Sequence, residues 1–276
     1  MSFQYTRRYT GPVEALILDW AGTTVDFGCL APAEAFTALF AGEGVAISRA
    51  QAREPMGTEK REHIRRVLAI PAVAAEWQQV KGSAHDAADI DRLYGLLEPI
   101  QIAAIERHAA LIPGTVDALR QLRERGLKIG ANTGYNRRML AVIEALAAEA
   151  GYRPEVSLAS EDAPRGRPHP DLAWAVAIRL GLSCSAACVK VDDTVPGVEE
   201  GLNAGMWSVG VALTGNECGL PREELEALDD AQFLAVRERA HQRLRGAGAH
   251  YVIDSIEDLP EVIEDIEARL AAGEAP

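Results

Sequence analysis

Residues 13–24, VEALILDWAGTT, decide how the rest of this chain is read. The apolar run Ala15–Leu18 stops abruptly at Asp19. It gives way to the small residues Ala21 and Gly22 and the hydroxyls of Thr23 and Thr24. A short apolar run closed by turn residues is the pattern of a buried strand in a parallel sheet. Reactive groups of open α/β sheets sit just past the carboxyl ends of such strands. Asp19 is therefore expected at a sheet edge, beside backbone flexible enough to approach an anion or a metal. On this stretch alone, a turn-forming Asp that merely ends a strand accounts for the pattern equally well.

Working outward, the α/β pattern is interrupted and then resumes. Residues 26–110 read almost entirely as helix. Residues 32–42 open on a Pro and close on a Gly, and residues 59–68 set Ile64, Val67 and Leu68 against a charged face. A third helix is expected over 90–110, while 71–89, with Trp77, fits no clear pattern. From Pro113 strands and helices alternate. A helix over 113–126 has Val116, Leu119 and Leu122 on one face and Gly126 as its stop. Strands follow at 127–131, 156–159, 188–191, 207–211 and 251–253, with helices at 137–150, 170–180, 198–204 and 259–270. Residues 215–248, rich in Glu, Leu and Arg, read as a surface excursion carrying one or two helices.

Repeated βα units give a Rossmann-like parallel sheet covered by helices on both faces. The expected organisation is an α/β core of residues 1–25 and 111–276 with an all-helical cap domain, 26–110, inserted after the first strand. Hinges are expected near Asp26 and Ala110.

Composition narrows the function. The 276 residues are 48% hydrophobic and 25% charged, ordinary for a globular protein. A net charge of −13 with no basic patch argues against nucleic acid as a partner. The start, MSFQYTRRYTGP, lacks the apolar centre of a signal peptide, and no run of about 18 apolar residues suits a membrane span. Cys29, Cys184, Cys188 and Cys218 form no CxxC pair, which fits reduced thiols in the cytoplasm.

Three strand ends carry polar groups: Asp19, Thr133 and the Asp192-Asp193 pair. A parallel sheet brings consecutive carboxyl ends to one edge whatever their separation in sequence. Two carboxylates and a hydroxyl there, with Arg167 in the loop GRPHP, suit phosphoryl chemistry. The carboxylates can hold a hard cation such as Mg²⁺. Arg167 and Thr133 can bind phosphoryl oxygens, and Asp19 can attack phosphorus to form an acyl phosphate.

With these residues in their order, the chain resembles the haloacid dehalogenase superfamily, and the helical insertion falls where that superfamily places its cap. The resemblance implies Asp19 as nucleophile, with Asp19, Asp193 and the backbone carbonyl of Ala21 as Mg²⁺ ligands. Four residues past Asp193, where many members carry another Asp, this chain has Gly197. Phosphatases of the superfamily read Asp-x-Asp, the second Asp protonating the departing ester oxygen. Ala21 stands in that position and cannot donate a proton.

A lysine can supply the missing chemistry. In MGTEKREHI, residues 56–64, Lys60 and His63 are three apart and share a helix face. An imine between Lys60 and an aldehyde is an electron sink, so a carbon–phosphorus bond could break to an enamine without an acid beside the nucleophile. The fuller pattern is DWAGTTVD with Cys29, MGTEK with His63, ANTGY, GRPHP and DDTVPGVEEGLNAGMWSVGV. It is similar to the superfamily members that hydrolyse phosphonoacetaldehyde to acetaldehyde and phosphate. That similarity implies a Lys60 Schiff base and an Asp19 aspartyl phosphate, with Met56 and His63 assisting proton transfers. It implies Gly57, Cys29 and Tyr135 lining the site, Arg167 and Thr133 holding the phosphonate, and a homodimer formed through cap helices. Such a lysine needs a lowered pKa, expected from burial near His63 or Arg61. Two alternatives stay open: a Mg²⁺-dependent phosphatase of a small phosphate ester, and a non-catalytic binding protein on the same fold.

Overall fold

The computed structural model describes residues 8–276. The first seven residues of the expected core range, and with them most of the N-terminal stretch searched for a leader, lie outside the described residues. The chain opens with β1 (Ala15–Leu18) and then runs through α1 (Leu30–Gly42), α2 (Arg49–Arg53), α3 (Lys60–Ala69), α4 (Pro71–Lys81) and α5 (Ala87–His108). Alternation resumes with α6 (Thr115–Glu124), β2 (Lys128–Asn132), α7 (Arg137–Glu149), β3 (Val156–Leu158), α8 (Asp171–Arg179) and β4 (Cys188–Asp192). It continues through α9 (Val195–Asn203), β5 (Trp207–Val211), α10 (Arg222–Glu226), α11 (Asp230–Gly246), β6 (Tyr251–Ile253) and α12 (Leu259–Ala271).

Among the described residues the strands form one six-stranded sheet in the order β3-β2-β1-β4-β5-β6, every pairing parallel. β1 lies between β2 and β4, with Leu18 in register with both Ala131 and Val191. Asp19, Thr133 and Asp193 therefore leave three adjacent strands at one edge. Strand order reverses between β1 and β4, the place where open α/β sheets bind ligands. β1 and β5 are buried at every position, which is why they read as nearly continuous apolar runs. Leu16 and Leu18 pack toward α6, α7 and α12, whereas Ala15 and Ile17 pack toward α8. Burying each of the Leu and Ile side chains contributes about 1.5–3 kcal/mol of transfer free energy.

Three details depart from the sequence reading. The buried face of α6 is Thr115, Ala118, Leu119 and Leu122, a clean i, i+3, i+4, i+7 stripe, while Val116 lies one position off it and is 39% exposed. The unassigned stretch 71–89 contains α4, started by Pro71 at its first position and stopped by Gly82 in the left-handed conformation. It buries Val73 and Trp77, four apart. Residues 215–248 are more than a surface excursion. α11 lays Ala240 and Leu244 on the sheet, so close that a Cβ at Gly210 of β5 would meet Leu244 Cβ at 2.9 Å.

The two connections between the helical insert and the sheet run side by side. Asp26 N–H donates to Ala110 O at 3.0 Å, Ile112 N–H donates to Thr24 O at 3.0 Å, and Val25 bridges Leu111. Asp26 adopts a left-handed backbone (φ 59°), and its carboxylate accepts from Leu30 N–H and Ala31 N–H at 2.8 and 2.9 Å. The first turn of α1 is thereby satisfied by a residue at the junction itself.

Candidate active site

The carboxyl edge of the sheet concentrates negative charge. Asp19, Asp192 and Asp193 are all buried, and each offers an oxygen within 4.8 Å of the others. Burial pushes Asp193 well above its ordinary carboxylate range, and the neighbouring Asp19 and Asp192 push it further. Its Oδ2 accepts from Asn216 N–H at 2.7 Å and its Oδ1 from the Thr23 hydroxyl at 3.2 Å. The loop after β1 wraps against it, since a Cβ on Gly22 (φ +88°) would lie 2.1 Å from Asp193 Oδ2. Asp192 is held otherwise: Lys190, Thr194 N–H and the Thr194 hydroxyl donate to it, and Arg167 lies 3.1 Å away. Burial opposes its charge, yet Arg167 and Lys190 keep its pKa below the ordinary value. A Cβ at Gly197 would fall 1.9 Å from the Asp192 carboxyl carbon, so the missing acid at 197 leaves no gap.

These oxygens suit a small divalent cation. The candidate ligands are hard carboxylate oxygens with no nitrogen or sulfur among them, and two like charges face Asp193 with no side-chain cation bonded to it among the described residues. Asp19 and Asp193 retain capacity for a metal, whereas the oxygens of Asp192 are already occupied by donors.

Arg167 is the organising cation. Its NH2 donates to Asp19 Oδ1 at 2.7 Å and to the carbonyl and side-chain oxygens of Asn132 at 3.0 and 2.7 Å. Its Nε donates to Glu200 at 3.1 Å. Burial works against the guanidinium charge, but Asp19, Asp192 and Glu200 outweigh it and raise its pKa. Burial likewise pushes Asp19 upward, opposed mainly by Arg167.

A small cavity opens over this edge. Asp19, Ala21, Thr133 and Arg167 form its sheet side; Cys29, Met56, Gly57 and Lys60 face them, with Tyr135 closing one wall. Thr133 Oγ1 accepts from Tyr135 N–H at 3.2 Å, which leaves its hydroxyl proton for the cavity. Capping of α7 falls to Asn136, which accepts from Met139 N–H at 2.9 Å. The insert fits closely: a Cβ on Gly57 (φ +87°) would lie 2.3 Å from Thr194 Oγ1, and one on Gly134 would lie 2.8 Å from Thr58 O.

Lys60 begins α3 and is 4% exposed. Its ammonium position lies 5.0 Å from the Tyr135 ring centroid and 5.7 Å from that of Phe36. Burial lowers its pKa to about 8, against the pull of Cys29 and Asp19. Burial also raises the Cys29 thiol and Tyr135 phenol, which stay protonated.

Burial lowers the lysine as expected, but the cation beside it is not Arg61. Arg61 is turned to solvent and paired with Asp91, and Arg167 is the cation that adds to the burial effect. His63 lies outside the cavity lining. It stacks on Phe36 at 3.7 Å, its Nε2 lies 2.8 Å from Ala52 O, and its Nδ1 has no partner among the described residues. Burial and the Lys60 charge hold it neutral. The structure thus gathers Asp19, Lys60, Met56, Gly57, Cys29, Thr133, Tyr135 and Arg167 around one cavity, with Asp193 beneath it and His63 behind α1.

Sequence reasoning passed over Lys190, Glu200, Asn132 and Asn216. Lysine inside the apolar strand CVKVD was the one available signal, because a buried charge demands partners.

Residues 13–205 match the family described as haloacid dehalogenase-like hydrolase. The chain is 51% identical to the phosphonoacetaldehyde hydrolase of Hahella chejuensis, over 100% of this chain and 94% of that one. It is 49% identical to the phosphonoacetaldehyde hydrolase of Vibrio cholerae, over 96% of this chain and 98% of that one. A crystal structure of a phosphonoacetaldehyde hydrolase-like protein from Oleispira antarctica superposes with a TM-score of 0.98, at 50% identity and full coverage of both chains. A β-phosphoglucomutase from Clostridium difficile, at 17% identity over 94% of this chain and 99% of that one, shares the fold with a TM-score of 0.67.

Proposed function

The chain belongs to the haloacid dehalogenase-like hydrolase family, and from that premise we propose that it hydrolyses the carbon–phosphorus bond of phosphonoacetaldehyde, giving acetaldehyde and phosphate. One observation carries the reading: a buried amine of lowered pKa and a nucleophilic carboxylate share a cavity in which Ala21 replaces the usual acid.

In this reading Asp19, Asp193 and the Ala21 carbonyl would hold Mg²⁺, which when bound offsets the charge of the phosphonyl oxygens. Arg167 and the Thr133 hydroxyl bind those oxygens and orient phosphorus toward Asp19. The neutral Lys60 amine adds to the aldehyde carbon, water leaves, and the imine nitrogen takes up a proton from solvent to give a protonated imine. An oxygen of Asp19 attacks phosphorus, and the electrons of the C–P bond pass into the imine to give a neutral enamine. The enamine carbon that carried phosphorus then takes a proton from water, restoring a protonated imine. Water then releases acetaldehyde from Lys60 and phosphate from Asp19, restoring both side chains. Tyr135, Met56 and Cys29 keep bulk water from the lysine while the covalent links stand. In this reading Met56 and His63 assist proton transfers around Lys60, with His63 held neutral and its Nδ1 unpaired among the described residues.

The insert acts as a cap in this scheme, its five helices bringing Lys60 to the core carboxylates, with hinges at Asp26 and Ala110. The same reading takes the protein as a cytoplasmic homodimer. Val80 on α4 and Leu96 on α5, 46% and 45% exposed, are large apolar side chains of the insert free to meet a second copy. No helix among the described residues is long and apolar enough to cross a membrane.

The test is an assay of both products from phosphonoacetaldehyde. Acetaldehyde and phosphate are expected in equal amounts, abolished by chelation of Mg²⁺ and by Asp19→Asn. Phosphate release from simple phosphate esters but not from the phosphonate would instead assign an ordinary phosphatase.

A further inference from the structure

Beneath the cavity floor lies a closed cluster that the mechanism uses only at one point. Arg167, Lys190, Asp192, Glu200 and Asn132 are each at most 5% exposed. Only Arg167 of the five lines the cavity. Glu200 Oε1 accepts from Asn132 Nδ2 at 2.9 Å, and its Oε2 accepts from Arg167 Nε at 3.1 Å. Lys190 Nζ donates to Asn132 Oδ1 at 2.9 Å and to Asp192 Oδ2 at 2.8 Å, and lies 3.4 Å from Glu200 Oε2. The backbone is shaped for this meeting. α9 lies so close to the sheet that a Cβ on Gly201 would come 2.8 Å from both Lys190 Cβ and Ser208 Oγ.

Burying this many charges is expensive, and an apolar cluster of equal volume would be at least as stable. The arrangement does something an apolar cluster could not. Asp192 meets the guanidinium at NH1, and Asp19 and Asn132 hold it at NH2; an acceptor on Nε fixes the third corner, the one nearest the side chain's own stem. We propose that Glu200 is the positioning residue of Arg167, holding Nε so that NH2 points at Asp19 and at the phosphonyl oxygens of the substrate. Asn132 and Lys190 in turn hold Glu200. The proposal rests on the anion-binding role given to Arg167 above.

Charge balance and orientation predict opposite signs, which makes the point testable. If Glu200 only offset the cations, removing its charge would tighten anion binding. If it orients Arg167, the loss weakens binding, because a glutamine sets an NH2 group against one of its two donors. The experiment is calorimetric titration of the full chain with inorganic phosphate in excess Mg²⁺. Glu200→Gln is expected to weaken phosphate binding about tenfold, the scale of one charge-assisted hydrogen bond. In an Arg167→Lys background, which has no Nε to orient, the same change should cost less than about twofold. Borohydride trapping of Lys60 by acetaldehyde should be unaltered, a readout that a general loss of structure would change. If Glu200→Gln does not fold, Glu200→Asp carries the same comparison and should show a smaller loss of the same sign. Native or tighter phosphate binding in either variant, or a full loss in the Arg167→Lys background, overturns the proposal. No phosphate binding by the native protein would instead overturn the reading of the cavity on which it rests.

Discussion

At the scale of single residues the chemistry turns on Lys60. A lysine that attacks an aldehyde must be neutral, and burial lowers this one to about 8. Its neutral fraction rises with pH up to that value and levels off above it. kcat/KM for phosphonoacetaldehyde should therefore climb about tenfold per unit below pH 8 and flatten beyond, as initial rates across pH 6 to 9.5 would show. A flat profile from pH 6 upward would mean that the lysine is not the titrating group. The residue was legible in the sequence because MGTEK stands out, and burial was the expected cause of its shift, but the side chains that bury it were not legible. Burial depends on Phe36 and Tyr135 closing over it, and neither stands near Lys60 in sequence. Lys190 and Glu200 were illegible for a related reason. Ten residues apart, they look like ordinary strand and helix charges until α9 folds back on β4.

At the scale of elements, glycines in two loops set how closely the parts approach. Gly22 lets the loop after β1 pass the Asp193 carboxylate, and Gly57 lets the segment before α3 lie against Thr194. Gly57→Ala would strain a φ of +87° and press its methyl into the Thr194 hydroxyl, shifting Lys60 relative to Asp19. A misplacement of about 1 Å costs on the order of 100-fold in rate. kcat/KM should therefore fall by ~10- to 100-fold while circular dichroism and the phosphate affinity of the core stay near native. Near-native turnover would show that this contact does not set the lysine's position. The strands were legible almost to the residue, since fully buried parallel strands print as apolar runs bounded by turns. Helices were read less well where polar residues mask the stripe. α4 buries only Val73 and Trp77, and in α6 the exposed Val116 imitated a core residue.

For the whole molecule, the central claim is that two covalent partners from different parts of the chain act on one substrate. Asp19 ends the central strand β1, Lys60 begins a helix of the insert, and the paired connections at Asp26 and Ala110 join the two parts. The insertion was visible as a break in the βα alternation, but its seating over the sheet edge depends on contacts such as Gly57 against Thr194 that no periodicity encodes. The most direct measurement is intact and peptide mass after phosphonoacetaldehyde and borohydride are added together in Mg²⁺. The native protein should gain one reduced ethyl group on Lys60, because Asp19 removes the phosphonyl group before the imine is trapped. Asp19→Asn should instead retain the phosphonoethyl adduct on the same lysine, and Lys60→Arg should gain nothing. An unmodified Lys60 in the native protein, turning over substrate under the same conditions, would contradict the account.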